Sequence, residues 1–254
     1  MRIVSEGFTH PKAGASVDQN DDALLPGGRV EWEGDCFRCA VADGATESIY
    51  AGRWAKLLAE VFVRGEFDPL KVHQTIREVQ TTWGSYIADQ PLPWYAEAKA
   101  KEGSFSTLLG LELLESVPQT AQSAKWKATA LGDSCLFLVR NDHLQLAWPI
   151  ADPTEFNNRP RLLASNPERN SHFDEWREEV SGDLRMGDSF FLLTDALALR
   201  FLEYHARGQR PWCFLARLGL PGNPNFAQWV DTLRHRDDRM NDDATMIRIQ
   251  VSSL

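Results

Sequence analysis

Five short stretches of the chain share one design, in which an apolar, strand-like run abuts an aspartate accompanied by glycine, serine, threonine or another acid. They are Asn20-Asp21-Asp22-Ala23-Leu24, Val41-Ala42-Asp43-Gly44-Ala45-Thr46, Ala130-Leu131-Gly132-Asp133-Ser134, Leu193-Thr194-Asp195-Ala196-Leu197 and Asn241-Asp242-Asp243-Ala244-Thr245. Taken singly, such an aspartate is an ordinary turn or helix-cap residue. Together they constrain the fold, because strand ends that deliver four or five carboxylates to one edge create a site that repels itself. Two like charges 4 Å apart cost about 4 kcal/mol at an effective dielectric of 20. Divalent cations reverse that sign. Hard cations take oxygen ligands, and magnesium or manganese favours octahedral oxygen sites that keep several waters. Two such ions can lower the pKa of a shared water and hold a phosphoryl oxygen, so no nucleophilic side chain is then required.

The rest of the chain fits that picture. The segments CFRCAVAD, STLLGLELL, WKATALGD, CLFLVR, DSFFLLTD and ATMIRIQV read as strands, enough for two sheets. Helical periodicity runs from about Ile49 to Val63 and from about Pro69 to Ala88. In the first, Trp54, Leu57, Leu58, Val61 and Phe62 supply the apolar stripe. Further helices are expected over Trp94 to Lys101 and after Asp195, with a new segment from Pro211. From Trp148 to Gly187 the prolines, the pair Asn157 and Asn158 and many charges predict a largely irregular flap. Without regular strand–helix alternation, the class is α+β: a sandwich of two antiparallel sheets flanked by helices, formed by residues 1–254 as one domain.

Composition narrows the function. At 43% hydrophobic and 25% charged residues, the chain can bury a sizeable core, and its net charge of −9 opposes attraction to nucleic acid or anionic membrane. The N-terminus lacks a basic segment followed by an apolar run, and no stretch suits a spanning helix, so a cytoplasmic location is expected. The six histidines form no HExxH-like pair, which removes the usual zinc-hydrolase spacing. Cys36 and Cys39 read as strand residues rather than ligands. Ser106 and Thr107 lack a nucleophile-elbow context and read as strand packing.

In order and surroundings these motifs resemble the metal-dependent protein phosphatases of the 2C type, the PPM family, over nearly the whole chain. The resemblance is carried by Asn20-Asp21-Asp22, Val41-Ala42-Asp43-Gly44, Ser106-Thr107, Leu131-Gly132-Asp133-Ser134, Leu193-Thr194-Asp195 and Asp242-Asp243-Ala244-Thr245. It implies a bacterial-like serine/threonine phosphatase of αββα architecture using two Mg2+ or Mn2+ ions at one end of the sandwich. Asp43 would bridge both ions, the Gly44 carbonyl would bind one, and Asp195 and Asp242 would bind the other, making Asp43, Asp195 and Asp242 the catalytic set through a metal-held water. Asp21 and Asp22 would hold metal-bound waters. Asp133 matches the position tied to a weaker third ion, which Asp195 can share. Asp243 is the alternative to Asp242, the alignment on Thr245 favouring Asp242. The implied substrate is a phosphoserine or phosphothreonine protein, with a cognate kinase as an associated partner.

The chain also departs from the pattern. Many members carry an arginine four residues before the acid aligned with Asp21, where it grips substrate phosphate; here that residue is Val17. Ala45 stands where some members have histidine, Ala196 where glycine is common and Cys135 where arginine is common. Lys12, Arg53 and Arg159 are candidate replacement cations that sequence alone does not place. Two other readings stay open: a catalytically weak relative that binds phosphoprotein or a kinase as a sensor, and a metal-dependent phosphoesterase acting on a small molecule. Oligomeric state is not legible in the sequence.

Overall fold

The computed structural model describes residues 1–254 except 68–69, 93, 116–122, 158 and 238–239. Strands β1 (Arg2–His10), β3 (Gly28–Glu33), β8 (Cys135–Arg140), β9 (His143–Trp148), β12 (Ser189–Leu193) and β13 (Ala244–Ser253) form one sheet. Its order is β3-β1-β13-β12-β8-β9. A second sheet has the order β11-β7-β6-β4-β2, from β2 (Asp22–Leu25), β4 (Cys36–Asp43), β6 (Leu108–Leu114), β7 (Lys125–Leu131) and β11 (Glu178–Asp183). A two-residue pair joins β5 (Phe105–Ser106) to β10 (Leu163–Ala164). All recorded pairings between strands are antiparallel.

Alternation along the strands explains the four layers. Val41, Leu109, Leu111, Leu136, Leu138, Phe190, Leu192, Ile247 and Ile249 point between the sheets and form the central core. Their neighbours point outward, so these strands are apolar on both faces and each sheet needs a helical cover. Ala40 and Ala42 lie under α1 (Ala51–Val63) and α2 (Val72–Ala88), which bring Trp54, Leu58, Phe62, Ile76 and Trp83. Phe137, Phe191 and Leu193 lie under α5 (Asp195–Ala206), α6 (Pro211–Leu215) and α7 (Phe226–Arg234). The remaining helices are α3 (Trp94–Glu102) and a single turn, α4 (Phe173–Trp176).

The six strands read from sequence are present, as are the helices over α1, α2, α3 and α5 and the new segment at Pro211. The helix expected from about Pro69 begins at Val72; Pro69 itself lies outside the described residues, as does Asn158. The excursion over 148–187 is not irregular throughout. Its second half contributes β11, whose Val180 packs toward the central core while Glu178 and Asp183 face solvent, a polar edge-strand pattern that hides a strand among charges. Cys39 is buried within β4 and Cys36 is partly exposed; both are free thiols.

Candidate metal centre

The strand register brings the motifs together. Asp22 opens β2 directly opposite Asp43, the last residue of β4. In the other sheet Leu193, closing β12, is paired with both Cys135, opening β8, and Met246, near the start of β13. Asp195 therefore leaves β12 beside the segment that carries Asp242 and Asp243 into β13. Asp133 sits where the chain crosses from β7 in one sheet to β8 in the other. Strand ends of both sheets thus deliver their aspartates to one end of the sandwich.

The acids press on one another. Burial raises the Asp43 carboxyl well above its ordinary range, and the charges of Asp22, Asp195, Asp242 and Asp133 add to the rise. Asp22 is raised for the same reason, with Asp243 and Asp195 as its charged neighbours. Burial and Asp195 push Asp133 up to about 7. Burial and Asp242 push Asp195 up to about 6, against a hydrogen bond shared with the Asp43 carboxyl. Asp21 and Asp242 are also raised, chiefly by burial. Burial comes first in every case, and the mutual repulsion of these seven carboxylates adds to it.

Small hydroxyl and amide side chains orient the acids. The Asp43 N–H donates to Thr107 Oγ1 at 2.9 Å, and the Thr107 N–H donates to the Asp43 carbonyl at 2.8 Å. Thr107 Oγ1 is also 2.9 Å from Ser134 Oγ, beside Asp133. Thr194 Oγ1 donates to Asp22 Oδ2 at 3.1 Å and accepts the Thr245 N–H at 3.0 Å. Asn20 Oδ1 accepts the Asp22 N–H at 2.9 Å, and Asn20 Nδ2 donates to Thr9 Oγ1, itself 2.7 Å from Thr245 Oγ1. Sequence reading assigned Thr107 to strand packing alone. Its second task follows from the strand pairing, which sets Thr107 against Asp43 from a distant part of the sequence.

Asp242 and Asp243 differ sharply. Asp243 is 3% exposed, and its two oxygens accept the N–H groups of Lys12 at 2.7 Å and Asp21 at 2.8 Å. It ties two loops to the start of β13. Among the described residues, the Asp242 carboxylate accepts one hydrogen bond, from the Asp243 N–H at 2.8 Å. Asp21 turns Oδ1 toward the Gly52 N–H at 3.2 Å and Oδ2 toward Lys12 Nζ at 3.8 Å. At Gly44 a Cβ would lie 2.6 Å from the Asp21 carbonyl oxygen and 2.8 to 2.9 Å from Ala51, so glycine lets β4, the Asp21 loop and the start of α1 meet.

Among the described residues, no three His, Cys, Asp or Glu side chains stand as a ready coordination shell. The chemistry of the donors nevertheless fits hard divalent ions, because the set is all carboxylate oxygen. Asp22 Oδ1 and Asp133 Oδ1 are buried with no hydrogen-bond partner among the described residues, which is costly for oxygens of this kind unless a cation or water meets them. No helix among the described residues is long and apolar enough to cross a membrane.

No protein-family model matches the chain, and neither does any curated protein. Solved structures do match. The catalytic domain of the serine/threonine protein phosphatase PstP, in complex with two manganese ions, aligns over 100% of both chains at 16% identity and a TM-score of 0.59. PppA of Pseudomonas aeruginosa, a key regulatory component of T6SS, aligns at 17% identity and a TM-score of 0.51 over 98% of this chain and 97% of that one. The serine/threonine phosphatase of S. agalactiae aligns at 12% identity and a TM-score of 0.51 over 98% of this chain and 100% of that one. The chain therefore has the fold of the metal-dependent protein phosphatases of the 2C type, the PPM family.

Proposed function

We propose that the chain is a metal-dependent serine/threonine phosphoprotein phosphatase, acting on phosphoserine or phosphothreonine proteins that include the products of a partner kinase. The observation that carries this reading is the crowding of buried, mutually repelling aspartates at one end of a sandwich, with two of their oxygens left without partners. Such a cluster relieves its own charge by holding protons or by taking up a cation. Magnesium or manganese at this site would supply an activated water and draw electron density from the phosphoryl group.

The protein's own residues divide the work. Asp43, at the convergence of the cluster, is the proposed bridging ligand, with the Gly44 carbonyl beside it and Asp195 and Asp242 completing the set. Asp242 is preferred to Asp243 because both oxygens of Asp243 already accept backbone N–H groups. Asp22 and Asp21 hold water around the ions, and Asp133, at the crossing between the sheets, is the ligand for a third. Thr107 holds the Asp43 backbone and Thr194 the Asp22 carboxylate.

One observation favours a second reading, a weak relative that binds phosphoprotein as a sensor: Val17 is 77% exposed and offers no phosphate clamp. Phosphate release from phosphothreonine peptide and from p-nitrophenyl phosphate, with manganese or with EDTA, separates the two. Manganese-dependent turnover lost in Asp43→Ala and Asp195→Ala is the expected result. A folded, manganese-loaded wild type that binds phosphopeptide without turnover would favour the sensor, and preference for the small ester would favour a small-molecule phosphoesterase.

A further inference from the structure

Beside the acidic cluster lies a groove of about 660 Å3 lined by Lys12, Asp18, Asp21, Tyr50, Arg53 and Tyr86, among others. It is joined to the cluster through the backbone. Gly52 donates its N–H to Asp21 Oδ1, and a Cβ at Gly52 would stand 2.7 Å from the Asn20 carbonyl oxygen, so the first turn of α1 is pressed against the Asn20-Asp21 loop. Arg53 is the next residue. Tyr50, which precedes the helix in the left-handed region at φ 51°, sets its ring edge-on to Tyr86 at 5.6 Å. The Arg53 guanidinium lies over the Tyr86 ring at 5.4 Å.

The two cations of this groove are not equivalent. Lys12 Nζ is engaged by Thr46 Oγ1 at 3.1 Å and faces Asp21 at 3.8 Å. Arg53 has no carboxylate partner among the described residues, and its Nε is buried without a hydrogen-bond acceptor. A half-buried guanidinium with an unmet donor, stacked on an aromatic face beside a site for divalent ions, is matched by a planar or tetrahedral oxyanion that can accept from its fork. Arg159, the third candidate cation, is exposed on the 148–187 excursion.

We propose that Arg53 grips the phosphoryl oxygens of an arriving phosphomonoester, doing from the first turn of α1 what an arginine at position 17 would do from the preceding loop. The Tyr50–Tyr86 wall then borders the carbon side of the ester. The proposal deepens the phosphatase reading and rests on it for its substrate, but phosphate binding by Arg53 does not require turnover.

The test is calorimetric titration of inorganic phosphate into the manganese-loaded full chain, for wild type, Arg53→Ala, Arg53→Lys and the double variant Val17→Arg/Arg53→Ala, with circular dichroism and melting as fold controls. Steady-state kinetics on phosphothreonine peptide accompany it. Arg53→Ala is expected to weaken phosphate binding and raise KM about 10- to 100-fold, with a smaller change in kcat. Arg53→Lys should recover part of the loss, and the added arginine at position 17 should recover more. A folded Arg53→Ala protein with wild-type phosphate affinity and KM overturns the proposal. Arg53-dependent phosphate binding without turnover by wild type would sustain it while sinking the phosphatase reading.

Discussion

Strand β12 is flanked by an aspartate at each end, and the two ends are built in opposite ways. Asp188, just before the strand, is 0% exposed. It takes a bidentate pair from Arg140 at 2.6 and 2.7 Å and the Arg185 N–H at 2.9 Å. Its charge is neutralised within the fold. Asp195, just after the strand, meets Asp43 and Asp242 instead, and burial with the charge of Asp242 pushes it up to about 6 against the hydrogen bond shared with Asp43. A carboxylate that serves the fold is given an arginine; carboxylates gathered without one leave the balance to a cation from solution. The same contrast separates Asp243, saturated by backbone N–H groups, from Asp22 and Asp133, each with an unpartnered oxygen.

The comparison can be broken most forcefully at Asp188. Asp188→Ala should destabilise the protein by about 3–5 kcal/mol, since it leaves Arg140 largely buried without its partner, while the metal response of the remaining folded protein stays intact. Chemical denaturation with and without manganese measures both. The acidic end should respond to pH with the reverse sign from a salt-bridged carboxylate. Asp195 and Asp133 have folded-state pKa values of about 6 and about 7, above the ordinary value of 3.8. As pH rises from 4 to 7 the unfolded chain releases these protons first, so the metal-free protein should lose stability over that window. For Asp195 alone the loss is about 3 kcal/mol. Manganese-loaded protein should show a much smaller loss, and denaturation curves at several pH values with manganese and with EDTA give the difference directly.

Smaller effects sharpen the same contrast. In EDTA at pH 7, Asp43→Asn should stabilise the fold by about 1–2 kcal/mol, because a neutral amide takes no part in the repulsion and supplies an N–H donor to Asp195. In manganese the same variant should lose most of the metal-induced rise in Tm. Thr107→Val should cost about 1 kcal/mol by leaving the Asp43 N–H without its acceptor, and should weaken manganese binding by misplacing Asp43. A Thr107→Val protein indistinguishable from wild type in both respects would remove Thr107 from the account.

The αββα architecture was largely legible because β4, β6, β7, β8, β12 and β13 are nearly continuous apolar runs, as strands buried on both faces must be. The strands missed were those that such a pattern does not mark. In β1, Ser5, Glu6, Gly7, Thr9 and His10 dilute the apolar signal, yet the strand lies inside the sheet, where Glu6 is paired with Arg248 on β13 and Arg29 on β3. β3 and β11 are half-exposed edge strands rich in charge. The candidate acids were legible because each abuts an apolar run. The alignment on Thr245 favoured Asp242 over Asp243, but the bonds that hold Asp243 could not be read, since they come from backbone N–H groups of Lys12 and Asp21, more than two hundred residues away. Arg53 stood among three candidate cations in the sequence, and only the fold, by setting α1 against the Asn20-Asp21 loop, singles it out.

The most direct test of the central claim is a manganese titration of the metal-free protein, followed by calorimetry or by electron paramagnetic resonance of free manganese. The account predicts at least two ions per chain and a loss of binding in both Asp43→Asn and Asp195→Asn, with Asp188 variants that remain folded binding normally. Failure of folded wild type to bind manganese or magnesium at millimolar concentration would contradict it.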